Sequence, residues 1–208
     1  MIKVGTRLSI FPLEGALLLP RAFLPLHIFE PRYRALVGDA LARDRLIAMI
    51  QPLPGARGDR PALFDVGCVG HIMNVEALDD GRFNLVLAGV SRFRVKREIE
   101  VSTPFRQIEA SYDEWDDVAE DETVLPSVMR AEIEQEARRF AEAKGYEVDW
   151  NEVGRLDDES LVNGIAQVVP FDGATKQALL EARDMLARAD LLVDFLRFGS
   201  VGEGGTLQ

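Results

Sequence analysis

Cysteine and histidine are scarce in this chain of 208 residues. It contains one cysteine, Cys68, and two histidines, His27 and His71. A single thiol cannot form an internal disulfide, and together with two imidazoles it falls short of the four ligands that a structural zinc site needs. We therefore expect neither a disulfide framework nor a bound metal, and we interpret Cys68 as a small buried hydrophobic residue.

The short motifs that bind nucleotides or mark common hydrolases are missing as well. The sequence has no G-x-x-x-x-G-K-[ST] loop, no G-x-G-x-x-G after a strand, no H-E-x-x-H and no G-x-S-x-G. Nucleotide hydrolysis, dinucleotide chemistry and the usual serine or zinc hydrolysis thus lack their characteristic residues. We expect no cofactor.

Long apolar runs are also lacking. Residues 1–20 are rich in apolar side chains, but Arg7, Pro12 and Glu14 interrupt them well before the roughly 20 residues that a spanning helix needs. The same interruptions argue against a secretory signal peptide. We therefore expect a cytoplasmic protein without membrane contact. Hydrophobic residues make up 47% of the chain, which is enough for a packed core.

Positive charge is depleted in the C-terminal half. Residues 113–208 hold 9 Lys/Arg against 23 Asp/Glu, whereas residues 1–112 hold 15 against 12, and the whole chain has a net charge of −11. An acidic surface repels phosphate backbones, so nucleic acid is disfavoured as a partner of the whole molecule. The N-terminal half alone is not excluded by this count.

The first 112 residues have the pattern of a small β-sheet or barrel with one helix. Short runs rich in Val, Ile and Phe alternate with Gly, Pro or Asp turns, and Asp80-Gly81 is typical of a β-hairpin turn. Pro31 stands at the first position of a predicted helix, EPRYRALVGDALARD. The predicted strands are LSIFPL, LIAMIQPL, FDVGCVGHIMNVEAL, FNLVLAG, SRFRVKREIEV and FRQIEASY.

An acidic segment separates this half from a helical one. Seven acids and no base in DEWDDVAEDET favour a linker, after which the hydrophobic period becomes that of helices. The first predicted helix ends at Gly145, the second is capped by Asp157 or Asp158, and the last runs from Asp172 or Gly173 to about residue 198. We thus predict a β subdomain, a linker, a helical subdomain and a disordered tail, over residues 1–112, 113–123, 124–198 and 199–208.

The stretch LPLHIFEPRYRAL contains four residues of types that often act in catalysis, His27, Glu30, Arg32 and Tyr33. Catalysis by this cluster needs a nucleophile that the imidazole can activate and a site for an oxyanion, and the neighbouring sequence provides neither. A carboxylate at Glu30 instead suits the free N–H groups at the start of a helix. We interpret the stretch as a structural strand–helix corner, with an enzyme site near His27 and Glu30 as the alternative.

A basic stripe is predicted on one strand, where Arg92, Arg94 and Lys96 alternate with Phe93 and Val95. Such a stripe is usually a solvated strand face. RNA binding through this face is the further alternative.

Taken together, these stretches closely resemble the N-terminal, substrate-recognition domain of the ATP-dependent Lon proteases. The FPL opening, the LPLHIFEPRYRAL corner, the VG-x-x-G strand, the DGRFNLVL hairpin and the G-x-x-RF-x-V strand occur in the family's order. The helical PFDGATKQALLEARDMLARADLLVDFL resembles the helix pair that closes that domain. The resemblance covers roughly residues 7–198.

The resemblance implies an α+β fold, with an N-terminal PUA-like β-pseudobarrel carrying one helix and a C-terminal helical bundle. It implies a stand-alone form without the ATPase and the Ser-Lys peptidase, and thus a non-catalytic module that binds unfolded or tagged polypeptides. An adaptor role with a protease or chaperone and a homo-oligomeric form are both compatible with the resemblance. The apolar stretch ALLLPRAFLPL supplies candidate contact surface. The candidate polypeptide-binding residues are Leu18, Phe23, Leu24, His27, Phe29 and Arg92.

Overall fold

The computed structural model describes residues 4–115, 117 and 124–201. Their contacts divide the chain into two compact units, residues 1–119 with 171–180, and residues 120–170 with 181–208. Most of the predicted acidic linker, and the predicted tail from residue 202 onward, lie outside the described residues.

The first unit is built on one six-stranded sheet. Its strands are β1 (Arg7–Pro12), β2 (Phe23–Ile28), β3 (Leu46–Pro52), β4 (Leu63–Ala77), β5 (Phe83–Ile99) and β6 (Gln107–Ser111). Their order in the sheet is β2-β5-β4-β3-β1-β6. Strand β6 pairs with β1 and also with β5, which closes five of the strands into a barrel. Among the strand pairs of the described residues, only β1 and β3 run parallel.

The long strand β5 takes part both in the barrel and in an extension of the sheet outside the barrel. Its second half pairs with β6 in the barrel, through residues 94–99, and its first half pairs with β2 outside it, through residues 83–88. We call this three-stranded extension, formed by residues 23–28, 83–88 and 72–77, the platform. The predicted hairpin turn is confirmed at its tip, where Gly81 has a φ of +78°.

The barrel interior holds a compact apolar core. Phe93 is fully buried and lies against Gly67, where an added Cβ would come within 2.4 Å of its ring. Burial of each large side chain contributes roughly 1.5–3 kcal/mol. The core cluster consists of Leu8, Ile10, Leu46, Ala48, Ile50, Val69, Phe93, Ile108 and Ala110.

Helix α1 (Pro31–Leu41) follows β2 directly, and Pro31 occupies its first turn as predicted. Tyr33, Leu36, Val37 and Ala40 form its buried face. The expected side-chain cap by Glu30 is wrong. Its carboxylate pairs with Arg32 at 2.9 Å, since a nearby guanidinium competes with the helix N–H groups for the same oxygens.

A second helix, α5 (Gly173–Glu181), also belongs largely to the first unit, although the sequence placed it in the helical half. Buried polar contacts explain this grouping. Lys176 Nζ donates to the carbonyl of Gly15 at 2.7 Å, and Gln177 Nε2 donates to the carbonyl of Val66 at 3.0 Å. Burial lowers the pKa of Lys176. Hydrophobic periodicity cannot reveal contacts of this kind, because they are polar.

The second unit contains only helices among its described residues: α2 (Ser127–Lys144), α3 (Trp150–Val153), α4 (Asp158–Val168) and α6 (Met185–Val201). Gly145 ends α2 with a φ of +71°, and Asp157 caps α4 through the N–H of Ser160, both as predicted. The short α3 was not predicted. Together with the sheet of the first unit, these helices confirm the α+β class.

The single long helix predicted from residue 172 or 173 to 198 is wrong, because α5 ends at Glu181 and a separate helix, α6, begins at Met185. Asp184 causes the break. Its Oδ1 accepts a hydrogen bond from the N–H of Ala187 at 2.8 Å, which starts a new helix in the manner of an N-cap. Helix α6 then continues to Val201, so residues 199–201 are helical and do not belong to a disordered tail.

A buried ion pair fastens the chain that follows β6 to strand β5. Arg92 is only 4% exposed, and its Nη2 lies 2.7 Å from Oδ1 of Asp117. The N–H of Arg92 also donates to Oδ2 of Asp117, and Nη1 donates to the carbonyl of Leu180. The ring of Trp115 lies 4.8 Å from the guanidinium carbon. The charges are therefore desolvated but well compensated.

We predict opposite effects of alanine at two glycines. At Gly89 an added Cβ would lie 1.9 Å from the carbonyl oxygen of Leu19, so Gly89→Ala is expected to destabilise the protein by about 2–3 kcal/mol. Gly38, exposed in α1 with no heavy atom within 4 Å of the added Cβ, serves as the control. Gly38→Ala is expected to stabilise by about 0.5–1 kcal/mol. Urea denaturation measures both, and two changes of the same sign would contradict the prediction.

We also predict that Arg92→Met lowers the free energy of unfolding by about 3–5 kcal/mol, because it leaves the carboxylate of Asp117 buried without its cation. Arg94→Met is the control on the same strand. Arg94 pairs with Glu114, both partly exposed, and its loss is expected to cost less than about 1 kcal/mol. Equal losses for the two variants, measured by urea denaturation, would show that the buried ion pair contributes no more to the free energy of unfolding than the exposed one.

Candidate functional site

The outward face of β2 presents aromatic side chains to solvent. Alternation along the strand places Phe23, Pro25 and His27 on this face, and Phe29 follows at the next outward position. Phe23 is 62% exposed and Phe29 is 61% exposed. Leu24 points the other way and is half-buried. Three of the six predicted binding residues, Phe23, His27 and Phe29, thus lie together on one exposed face.

A row of polar side chains crosses the platform from β2 to β4. Asn84 Nδ2 donates to Oε2 of Glu76 at 2.9 Å, so its Oδ1 faces Nδ1 of His27 at 2.7 Å and accepts a hydrogen bond from it. In the neutral imidazole Nε2 is then an acceptor, and Arg82 Nη1 lies 3.3 Å away. The row therefore holds His27 in one orientation, with its ring stacked near that of Phe29 at 6.3 Å.

A shallow depression of about 550 Å³ lies on the platform. All three strands contribute to its lining, with three consecutive residues from each. Apolar Pro25 and Val86 lie beside the polar row, in register with each other. The lining residues are Pro25, Leu26, His27, Asn74, Val75, Glu76, Asn84, Leu85 and Val86.

Two of the predicted binding residues are not at the surface. Leu18 is 2% exposed and lies over β4, where an added Cβ on Gly70 would come within 2.8 Å of its side chain. Arg92 is held inside by Asp117. The sequence showed that residues 16–26 are rich in apolar side chains. It did not show that the side chains of residues 17–19 are buried whereas alternate side chains of β2 are exposed.

The predicted basic stripe is therefore wrong as a solvated face. Arg92 is buried, and Arg94 Nη2 donates to Oε2 of Glu114 at 2.8 Å. Lys96 is exposed. Because two of the three cations already have carboxylate partners, the stripe lacks the free charge that phosphate contacts require.

The strand–helix corner lines a second cleft, of about 420 Å³, which contains Glu30, Arg32 and Tyr33 but not His27. Arg32 Nη1 donates to the carbonyl of Asp59 at 2.8 Å, and its guanidinium lies 4.6 Å from the centre of the Tyr33 ring. Burial raises the pKa of Tyr33. These side chains are engaged in structural contacts, which agrees with the interpretation of the stretch as a corner. The structure separates them from the imidazole with which the alternative enzyme site grouped them.

Cys68 is buried, as predicted. Within the described ranges, no three His, Cys, Asp or Glu side chains cluster in a way that would hold a metal ion. No described helix combines the length and the hydropathy required to cross a bilayer.

Several platform residues were not identified from the sequence, namely Asn74, Glu76, Asn84 and Val86. Their signal was weak because each is an ordinary outward residue of a predicted strand. Only the register of the hairpin brings them beside His27: Asn84 lies opposite His27 on one side and opposite Glu76 on the other.

Two solved structures with a similar fold are both described as Lon N-terminal domains. The chain superposes on a Lon N-terminal domain protein from Xanthomonas campestris with a TM-score of 0.65 and 23% identity, covering 91% of this chain and 98% of that one. The N-terminal domain of a Lon protease from the Mycobacterium avium complex gives a TM-score of 0.63 at 19% identity, covering 92% and 98%. At this level of identity the likeness shows a shared fold.

Relatives by sequence are longer proteins. The Lon protease of Desulfosudis oleivorans is 26% identical over 194 residues, and Lon protease 2 of Myxococcus xanthus is 28% identical over 199. The matches cover 89% and 91% of this chain but 23% of each relative. The chain thus spans about a quarter of the length of the curated relatives that it matches.

A family model described as the ATP-dependent protease La (LON) substrate-binding domain matches residues 7–197. This match covers nearly the whole chain and confirms the resemblance inferred from the motifs between residues 7 and 198. The chain belongs to the family of LON substrate-binding domains.

Proposed function

We propose that this chain is a non-catalytic module that binds unfolded or tagged polypeptides on the outward face of the platform. One observation carries the proposal. Phe23 and His27 of the edge strand β2, and Phe29 just after it, lie exposed on the same face, in a domain of a substrate-binding family. Exposed aromatic side chains lose contact with water when an apolar segment covers them, and this supplies affinity without any specific sequence.

Side-chain contact is expected to contribute more than pairing along the strand edge. Pro25 lies opposite Val86 in β2, the end strand of the sheet, and has no N–H to donate to an added strand. An interrupted row of donors weakens continuous strand addition and also protects the edge against self-association. The aromatic face next to the edge is therefore the principal contact surface in this proposal.

The partners that we propose are inferred from the longer relatives of this chain. The longer proteins that contain this domain are named as Lon proteases. A module of the same family that passes captured chains to a protease or a chaperone in the cytoplasm is the role that we propose. A negative net charge of −11 suits clients that are apolar or basic.

The double variant Phe23→Ser, Phe29→Ser is predicted to weaken binding of fluorescein-labelled casein at least about tenfold, because each exposed ring loses its apolar contact. Fluorescence anisotropy measures the affinity. Phe198→Ser is the matched control, since Phe198 is 77% exposed on α6 of the other unit. The control is expected to bind within about twofold of the wild type. If both variants lose affinity equally, or if neither does, the platform is not the binding surface.

Casein is predicted to remain uncleaved by the purified chain, with or without ATP. Both ring nitrogens of His27 are engaged, by Asn84 and Arg82, in an arrangement that orients the ring and does not activate a nucleophile. Release of fluorescent fragments from labelled casein measures cleavage. Turnover that disappears in a His27→Ala variant would overturn the non-catalytic assignment.

A further inference from the structure

The outer edge of strand β4 is open where the strand enters the platform. Strand β3 pairs with β4 only as far as Leu46, which lies opposite His71. Among the described strands, residues 74–77 pair with β5 alone, and residues 73–77 are all exposed. This edge, MNVEA, contains neither the proline nor the lysine that often protects a strand edge. The platform therefore has two margins, of which only β2 is interrupted by a proline, Pro25.

Two residues of this edge direct their backbone groups away from the sheet. The N–H of Leu78 donates to the carbonyl of Arg82, so Leu78 faces β5. Because successive residues of a strand point their backbone groups to opposite sides, the N–H and C=O groups of Val75 and Ala77 face outward. No hydrogen bond in the described part of the chain occupies these groups on that side. An added strand would therefore find donors and acceptors here.

Arg45 closes one end of the open edge. Its carbonyl accepts the N–H of Ile72 at 2.8 Å, but its own N–H donates to the carbonyl of Ala40. The side chain replaces the missing backbone bond, because Nε donates to the carbonyl of Ile72 at 3.3 Å. The guanidinium thus lies on the outer edge of β4, immediately before the open segment. It forms no ion pair with any residue that the structure describes.

The neighbouring Asp44 points to the other side of β3. One oxygen of its carboxylate accepts the N–H of Leu46 at 3.1 Å. Arg45 directs its carbonyl toward β4, so the N–H of the next residue, Leu46, points away from β4. The accepting oxygen of Asp44 therefore lies on the side of β3 that is remote from the open edge.

The other charges around Arg45 are paired or distant. Arg43 pairs with Asp39 at 3.0 Å. Glu76 is the only acid within the open segment, and four residues of strand place it about 13 Å from Ile72. The charges of the hairpin tip lie further along the strand. The closed end of the edge thus carries an available positive charge.

We propose that the open edge of β4 binds the C-terminal segment of a client polypeptide as an added strand, with its terminal carboxylate at Arg45. This inference rests on the proposed function, because it takes a polypeptide as the client, and it specifies which part of that client is bound. The carboxylate complements the guanidinium, and the client backbone complements the outward groups of Val75 and Ala77. An internal segment of a client has no terminal charge to place at Arg45.

The direction and the length of the bound segment follow from the sheet. Strand β4 runs from Ile72 toward Ala77, so a client that ends at Arg45 runs antiparallel to β4, as β3 does. From residue 73 to residue 77 the edge spans about 13 Å at 3.3 Å per residue, which accommodates about the last four or five residues of the client. Met73 and Val75, 52% and 37% exposed, offer apolar contact to client side chains.

The test compares three fluorescein-labelled peptides that contain Thr-Val-Thr-Val after a Gly/Ser linker. The first ends there with a free carboxylate, the second ends there with an amide, and the third continues with four Gly/Ser residues and ends with an amide. Fluorescence anisotropy is expected to show that the first binds about fivefold tighter than the other two, as one partly exposed ion pair allows. Equal affinities of the three peptides would overturn the inference.

Two variants with the same change in net charge identify the cation. Arg45→Gln is expected to remove the preference for the free carboxylate. Arg43→Gln is the matched control and is expected to retain the preference, because the charge of Arg43 is already paired with Asp39. Urea denaturation checks that both variants are folded. Equal loss of the preference in both would mean that overall charge, and not Arg45, is sensed, and would also overturn the inference.

Strand pairing is tested on the wild type with N-methylated peptides, so this arm does not depend on the folding of a variant. One methyl group is placed in turn on each of the last four amide nitrogens of the free acid. Only alternate N–H groups of an added strand face β4. Methylation is therefore expected to weaken binding at least about fivefold at alternate positions and less than about twofold between them. A uniform effect at all four positions would contradict pairing along this edge.

The outcomes distinguish this inference from the function on which it rests. If the three peptides bind equally and Phe23→Ser with Phe29→Ser weakens all of them, C-terminal recognition is wrong and polypeptide binding at the aromatic face stands. If the free acid is preferred but the two serine substitutions change nothing, the edge of β4 binds the client and the aromatic face does not. A wild-type dimer in light scattering that Val75→Pro converts to a monomer would show that a second copy occupies the edge, and the inference would fail.

Discussion

The continuity of strand β5 is the constraint on which the first unit depends. One run of 17 residues, Phe83–Ile99, satisfies the backbone hydrogen bonds of a closed barrel with one half and of the open platform with the other. Gly89 lies between the two halves, where the carbonyl of Leu19 approaches so closely that no side chain fits. Because the strand does not break there, one continuous strand joins the exposed platform to the buried barrel.

Charge is used differently in the interior and at the platform. Inside, Arg92 and Asp117 neutralise each other, and the polar contacts of Lys176 and Gln177 attach α5 to the barrel. At the platform, polar side chains orient one another while the aromatic rings stay in water. Burial makes the first set structural, since an unpaired charge is costly there. Exposure leaves the second set available to a partner.

Much of the fold was predictable because it follows from local rules. The hairpin at Gly81 and the cap at Gly145 need a positive φ, which few residues other than glycine adopt. The start of α1 at Pro31 was visible because proline has no N–H, and the first N–H of a helix has no partner within the helix. The resemblance implied a pair of helices over residues 170–196, but the hydrophobic period predicted one helix, because the period continues across Asp184 and a capping aspartate looks like any surface acid. The candidate site was predicted in part, since alternation gives Phe23, His27 and Phe29 one common face but says nothing of their neighbours.

The sequence by itself determined the family, the α+β class, the alternation of β2 and the scarcity of catalytic and metal-binding residues, because each is written in residue type and spacing. Only the tertiary structure decided that Leu18 and Arg92 are interior, that His27 lies apart from the cleft of Glu30 and Tyr33, and that Asn84 and Glu76 stand beside it. The physical reason is strand register and closure of the barrel. Both arise from hydrogen bonds between residues far apart in the chain, and the periodicity of one segment cannot predict such pairings.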